Sequence, residues 1–298
     1  MALVAGGRLW LGTREGLGVQ GLAVSTAELS PNALYAAVGI GRALVAIAPD
    51  GRRAWSHPTP GPVVAAAWAP NPIVISYVVR RGGANELHVI EGDGDGDRLV
   101  DADVAPVRPS WRADTQALAY VGRDGAARVA DYPSLASRAV AAPPAGVAAV
   151  AYAPQGDRLG LATAGPGVAV SFRGGGGGGL VVPLGAPGAR LTALAWGAPG
   201  ELLVAGDEPR AAEPDRIWSL IDTGRLADGA AYASSPVLAL APIGDGRRLA
   251  AAVRVGGETQ VWEVDAPELG RDEELRARRV LLRVPAAAAP GAVALSVR

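Results

Sequence analysis

The sequence predicts an all-β fold: a β-propeller of seven four-stranded blades, with six as the alternative, forming a single domain over residues 1–298. Three observations predict it. Gly and Pro are abundant, 41 and 24 of 298 residues, so turns are frequent. A strand–turn–strand pattern recurs along the chain. The segments between turns are short and apolar, as in sheets covered on both faces.

The repeat carries most of the argument. Its copies read AELSPNALYAAV around Pro31, AAWAPNPIVISYV around Pro70, RPSWRADTQALAYV around Arg112, VAYAPQGDRLGLAT around Pro154, LAWGAPGELLVAG around Pro199 and LALAPIGDGRRLAAAV around Pro242. The anchors step by 39, 42, 42, 45 and 43 residues. A four-stranded propeller blade needs roughly 40–45. In Ala153-Pro154-Gln155-Gly156, Pro stands second and Gly fourth, the type I preference for a turn between two strands. The runs after the turns, Leu34–Val38, Ala117–Val121, Leu159–Thr163 and Leu249–Val253, are expected to be strands buried on both faces. Trp68, Trp111, Tyr152 and Trp196 sit at or just before the turns, and Trp10, Trp218 and Trp262 on later strands. Aromatics in this recurrence are expected to pack one blade against the next.

The two ends supply the missing blade. Ala2–Ala5, Arg8–Thr13 and Gly16–Gln20 read as the second, third and fourth strands of a repeat. The segment AVALSVR at 292–298 reads as a first strand. Together they form a composite blade that closes the ring and removes its open edges.

Composition narrows the function. There is no Cys, which excludes disulfides, thiolate metal sites and cysteine nucleophiles. All 28 basic residues are Arg, which excludes a P-loop lysine or a Schiff-base lysine. The only histidines are His57 and His88, too few for a three-histidine zinc site. A formal net charge of -1 argues against nucleic acid as a partner. No apolar run approaches the roughly 18 residues of a membrane span, and the opening residues do not have the form of a signal peptide. No cofactor is expected.

Several local motifs yield to ordinary readings. Asp93, Asp95 and Asp97 match the first half of a calcium-binding loop, but Arg98 stands at the sixth position and Val104 at the twelfth, where Gly and Glu are required. EGDGDGDR is therefore read as a solvated hairpin tip, with these aspartates only a weak metal candidate. GLGVQG at 16–21 matches a dinucleotide fingerprint but is followed by a strand-like run rather than a helix. Gly174–Gly179 reads as a loop. His57 lies in a Pro-rich stretch read as a link between blades and His88 on an alternating strand, with no catalytic pattern around either. Residues 267–283 break the repeat. Glu274 and Arg278 suit one or two helical turns there, before an outer strand Val280–Val284.

In a propeller the loops joining second and third strands share one face with the links between blades. That face is expected to carry the partner-binding candidates Arg80, Arg81, Arg123, Asp207, Arg210, Asp215 and Arg254, with Trp55, His57, Arg108 and Arg190 on its links. Guanidinium groups there suit carboxylates of a protein partner.

The S/A-P-x-G-x-x-L-A pattern around Pro31, Pro154 and Pro242 resembles the WD-repeat-like and TolB-like propellers. GGRLWLGT at 6–13, RPSWRAD at 108–114, and LTALAWGAPGELLVAG at 191–206 with RIWSLIDTG at 216–224 are similar to the propeller domain of LpqB-type lipoproteins. This resemblance covers nearly the whole chain. It implies a non-enzymatic domain of a bacterial cell-envelope or signalling protein, held outside the cytoplasmic membrane and acting as an interaction scaffold or sensor. The alternative is a propeller that binds a small ligand or carbohydrate, or hydrolyses or cleaves it, at the channel mouth.

Overall fold

The structure is a computed structural model. It describes residues 1–5, 8–13, 16–71, 73–141, 145–155, 157–163, 168–173, 180–184, 190–197, 201–207, 215–220, 226–233, 235–244, 246–265, 277–285 and 293–297. Among these every regular element is a strand, and the strands form seven four-stranded antiparallel sheets. They fall into two compact units, one of residues 1–142 with 289–298 and one of 143–288.

The first unit holds four sheets. One joins β1 (Ala2–Ala5), β2 (Arg8–Thr13) and β3 (Gly16–Ala23) to the last strand of the chain, β28 (Ala294–Ser296), in the order β28-β1-β2-β3. The register pairs Ala2 with Ser296 and Leu3 with Leu295. The second is β4 (Thr26–Leu29), β5 (Ala36–Ile40), β6 (Ala43–Ile47) and β7 (Arg53–Pro58); the third is β8 (Val63–Trp68), β9 (Val74–Arg81), β10 (Ala84–Glu91) and β11 (Arg98–Asp101); the fourth is β12 (Ser110–Trp111), β13 (Ala117–Val121), β14 (Ala127–Asp131) and β15 (Ser137–Ala141).

The second unit repeats the plan three times: β16 (Val147–Tyr152) to β19 (Leu180–Leu184), β20 (Arg190–Trp196) to β23 (Leu226–Ala233), and β24 (Val237–Ile243) to β27 (Arg279–Pro285). The intervening strands include β17 (Leu159–Thr163), β21 (Leu202–Asp207), β22 (Asp215–Leu220), β25 (Arg248–Val255) and β26 (Glu258–Asp265). The strand expected at Val280–Val284 lies within β27. The helical turns expected before it lie mostly outside the described residues, as do the six glycines.

Stacking explains the apolar runs. On β5, Ala36 and Val38 pack towards the β28-β1-β2-β3 sheet, while Ala37 packs towards the third sheet. On β9, Val74 and Val78 face the fourth sheet and Ile75, Tyr77 and Val79 face the second. A strand covered on both sides has no wet face, so it does not alternate in polarity. The tryptophans reinforce each stack. Trp68 donates its indole N–H to Glu28 O (3.1 Å), Trp111 to Ser76 Oγ (3.0 Å) and Trp196 to Ala151 O (2.8 Å), each reaching into the preceding sheet.

The turns behave as their sequence implies, with one adjustment. In two of them the fourth residue donates its N–H to the carbonyl of the first: Ala33 to Ser30 O (2.8 Å) and Thr115 to Arg112 O (2.9 Å). Those fourth residues are left-handed, Ala33 at φ 56° and Thr115 at φ 63°. They occupy the place of the glycine in the APQG copy, whose Gly156 lies outside the described residues. The expected strand Leu34–Val38 begins instead at Ala36. Leu34 stays in the turn, 57% exposed, with its N–H bonded to Asn32 Oδ1.

Candidate functional site

Within the first unit, antiparallel order puts the turns between second and third strands on one side, together with the links between sheets. Direct bonds fix this. Thr59 N donates to Arg42 O (2.9 Å), Arg80 N to Pro62 O (2.9 Å), Val104 N to Asn85 O (3.0 Å) and Arg123 N to Asp103 O (3.0 Å). Each link is thereby bonded to a neighbouring turn or to the strand beside it.

Arg42 and Arg123 stand on these turns, and Arg80 and Arg81 end β9 just before one. Gly82 and Gly83, at φ 55° and 88°, form a two-residue hairpin that demands a left-handed backbone at both positions. Arg81 and Ala84 pair across it. Gly61 on the facing link comes so close that a Cβ there would fall 1.8 Å from Arg80 O. Arg42, Arg80, Arg81, Arg108 and Arg123 are all exposed. Arg81 lies 3.4 Å from Glu86, and Arg123 3.5 Å from Asp103. The Arg123 pair is exposed on both sides and worth no more than about 1 kcal/mol, so it leaves that guanidinium open to exchange. No ion pair engages Arg80 among the described residues. Arg108, on the link before β12, reaches Glu28 on β4 at 2.7 Å. Glu28 is buried in the second sheet.

The other candidates belong to the second unit. Arg254 lies on β25; its N–H donates to Pro236 O (2.9 Å), and its Nε is buried without a bond partner among the described residues. Asp207 and Asp215 pair directly across β21 and β22, while their side chains and all of Arg210 lie outside the described residues.

Two local readings change. Trp55 and His57 are on β7, not on a link. Leu44 pairs with His57, and Pro58 ends the strand at the outer edge of its sheet, where the missing N–H is tolerated. The EGDGDGDR segment is only partly a solvated tip. Asp93, Asp95 and Asp97 are all exposed; the first two close the loop on itself, with Asp95 N donating to Asp93 Oδ1 (3.1 Å). Asp97 turns away from them. It accepts the Tyr77 hydroxyl at Oδ1 (2.7 Å), while its Oδ2 stands 3.3 Å from His88 Nδ1 and 3.8 Å from His57 Nε2. Among the described residues no group of three or more acids and histidines is arranged to hold a metal ion.

This cluster contains both histidines of the chain. Sequence inspection passes over it because its members lie on separate strands of two sheets. Cross-strand pairing of His88 with Tyr77 and stacking of the third sheet on the second bring them together. Burial disfavours charge on His88, yet the adjacent Asp97 and Glu86 carboxylates outweigh it and raise its pKa above 6.5. Burial acts against the Asp97 carboxylate too, but His88 and Tyr77 hold its pKa below 3.8. Burial and the Asp97 carboxylate push the Tyr77 hydroxyl far above its ordinary range.

No protein-family description and no curated protein sequence matches the chain. Solved structures do. The WD40 repeats of RRP9 superpose with a TM-score of 0.69 over 99% of this chain and 88% of that one, at 11% identity. A chain of Kuenenia stuttgartiensis hydrazine synthase gives 0.67 over 92% and 89%, at 13% identity. A protein assigned as a TolB from Agrobacterium tumefaciens gives 0.54 over 76% and 86%, at 12% identity. At such identities the likeness concerns the fold: this chain shares the architecture of WD40 and TolB-like β-propellers.

Proposed function

We propose that residues 1–298 form one closed propeller of seven blades, the composite one included, and that it works as a non-enzymatic protein-interaction scaffold. The similarity to WD40 domains, which typically act as scaffolds, supports this reading. The observation that carries it is the placement of Arg42 and Arg123 on such turns, and of Arg80 and Arg81 at the strand end beside one, in three successive sheets, exposed on one side of the first unit. A row of guanidinium groups on a rigid frame suits a partner surface rich in carboxylates, because little conformational freedom is lost on docking. The resemblance to LpqB-type propellers points to a partner at the bacterial cell envelope.

The experiment is affinity capture at low salt with the wild type and with an Arg80→Glu/Arg81→Glu/Arg123→Glu variant, the fold of each checked by circular dichroism. The reading expects a protein held by the wild type, released by salt and absent from the variant. Recovery of the same proteins by both would refute it.

A further inference from the structure

Residues 91–97 run from the last residue of β10 to the start of β11 and, with Arg98, touch the sheets on either side. Trp55 on β7, in the preceding sheet, donates its indole N–H to Gly92 O (2.8 Å). Gly94 packs on the same ring so closely that a Cβ there would fall 2.8 Å from Trp55 Cδ2. On the other side, Tyr132 of the following sheet donates its hydroxyl to Glu91 Oε1 (3.3 Å). Arg98 donates to Pro133 O (3.0 Å), and its guanidinium lies 5.4 Å from the centre of the Tyr132 ring. The loop thus lies on the preceding sheet, while the strand ends that frame it, Glu91 and Arg98, hold the following one.

Its far end is held at Asp97, and the holder is a histidine between two carboxylates. His88 Nδ1 stands 3.3 Å from Asp97 Oδ2, in ion-pair range though not aligned as a hydrogen bond. His88 Nε2 stands 3.3 Å from Glu86 Oε2. The ring stacks on Tyr77, centre to centre 5.3 Å, and its side chain is only 9% exposed. A neutral imidazole has one N–H and can face only one of the two acids as a donor; the imidazolium has two. The other groups around the site are Tyr77 on β9, His57 on β7, and Arg81, which shares Glu86 through Oε1 at 3.4 Å.

We propose that residues 91–97 form a proton-operated strap, latched over β7 through Asp97 while His88 carries its second proton and released when that proton is lost. Without it, either Asp97 or Glu86 faces an imidazole lone pair at 3.3 Å, and the repulsion is relieved by lifting the loop that carries Asp97. The core strands β8 and β9 stay in place, so the change is local.

The two histidines give only two imidazole signals, so a wild-type NMR titration from pH 4 to 9 reads His88 directly once His57→Gln has assigned it. The account expects His88 to titrate above 6.5. It also expects hydrogen-exchange protection of residues 91–97, corrected for the intrinsic pH effect, to fall severalfold between pH 6 and pH 8. Asp97→Asn should show the low protection at both. Equal wild-type protection at the two pH values, a His88 midpoint at or below 6.5, or an undiminished pH step in Asp97→Asn would each overturn the proposal. The two wild-type measurements decide the matter even if a variant fails to fold.

Discussion

Leu3 and Leu295 face each other across neighbouring antiparallel strands although they stand at opposite ends of the chain. Beside them Ser296 Oγ accepts the N–H of Leu29, from the next sheet, at 3.2 Å. One short C-terminal strand thus completes the first sheet and ties it to the second.

The left-handed turn residues separate backbone strain from side-chain bonding. Ala33, at φ 56°, makes no side-chain bond, so Ala33→Gly relieves strain and should stabilise by up to about 1 kcal/mol. Thr115, at φ 63°, accepts the N–H of Asn71 at Oγ1 (3.2 Å) and is buried. Thr115→Gly should therefore destabilise by about 1 kcal/mol. Urea unfolding of the two variants reads the opposite signs; a common sign would contradict the assignment.

Gly61→Ala tests the contact between link and turn. The added Cβ would meet Arg80 O at 1.8 Å, and backbone must move to admit it. A loss of about 1–3 kcal/mol is expected in chemical unfolding. A change within experimental error would mean that the link does not bear on β9 as described.

The bond from Trp111 to Ser76 Oγ is predicted to couple two sheets. Ser76 in turn donates to Ala67 O (3.3 Å). Trp111→Phe should cost about 1 kcal/mol through the lost N–H, and Ser76→Ala about 1–3 kcal/mol through the indole donor left without its partner. The double variant should cost less than the two losses added together. Strict additivity would mean that the side chains do not act together.

The histidine cluster sets a pH window. The raised pKa of His88 adds stability that is present in full below its ordinary 6.5 and is lost as pH rises through the folded value. The lowered pKa of Asp97 adds stability that is present above its ordinary 3.8 and is lost as pH falls through the folded value. Both contributions are in place between about pH 4 and 6.5. The urea midpoint should be higher at pH 5.5 than at pH 8, and the difference should shrink in Asp97→Asn. A midpoint that is level across this range would contradict it.

Much of the fold is legible in the residues because it follows from local chemistry. The strands at Ala2–Ala5, Arg8–Thr13, Ala117–Val121 and Leu159–Thr163 lie where apolar runs and turn residues put them. Leu34 misleads because an apolar side chain carries no sign that Asn32 has captured its N–H into the turn. The site is less legible. Arg80, Arg81 and Arg123 announce themselves as charged residues at or beside turns, and Arg254 as one near the end of a strand. Asp97 looks like its neighbours Asp93 and Asp95 until inter-sheet packing sets it beside both histidines. Glu28 lies on β4 and Arg108 on the link before β12, and nothing in either local sequence announces the pair.

The most direct test of the account is a pair of cysteines at Ala2 and Ser296, in a chain that has none. Directly paired antiparallel residues have Cα atoms about 4.5–5.5 Å apart, within disulfide reach. Under dilute oxidation Ala2→Cys/Ser296→Cys should form one intramolecular disulfide and run faster on a non-reducing gel, and the oxidised form should unfold at higher urea than the reduced form. Thiols that stay free in the folded protein, or that link only between molecules, would contradict the joining of the chain ends in one sheet.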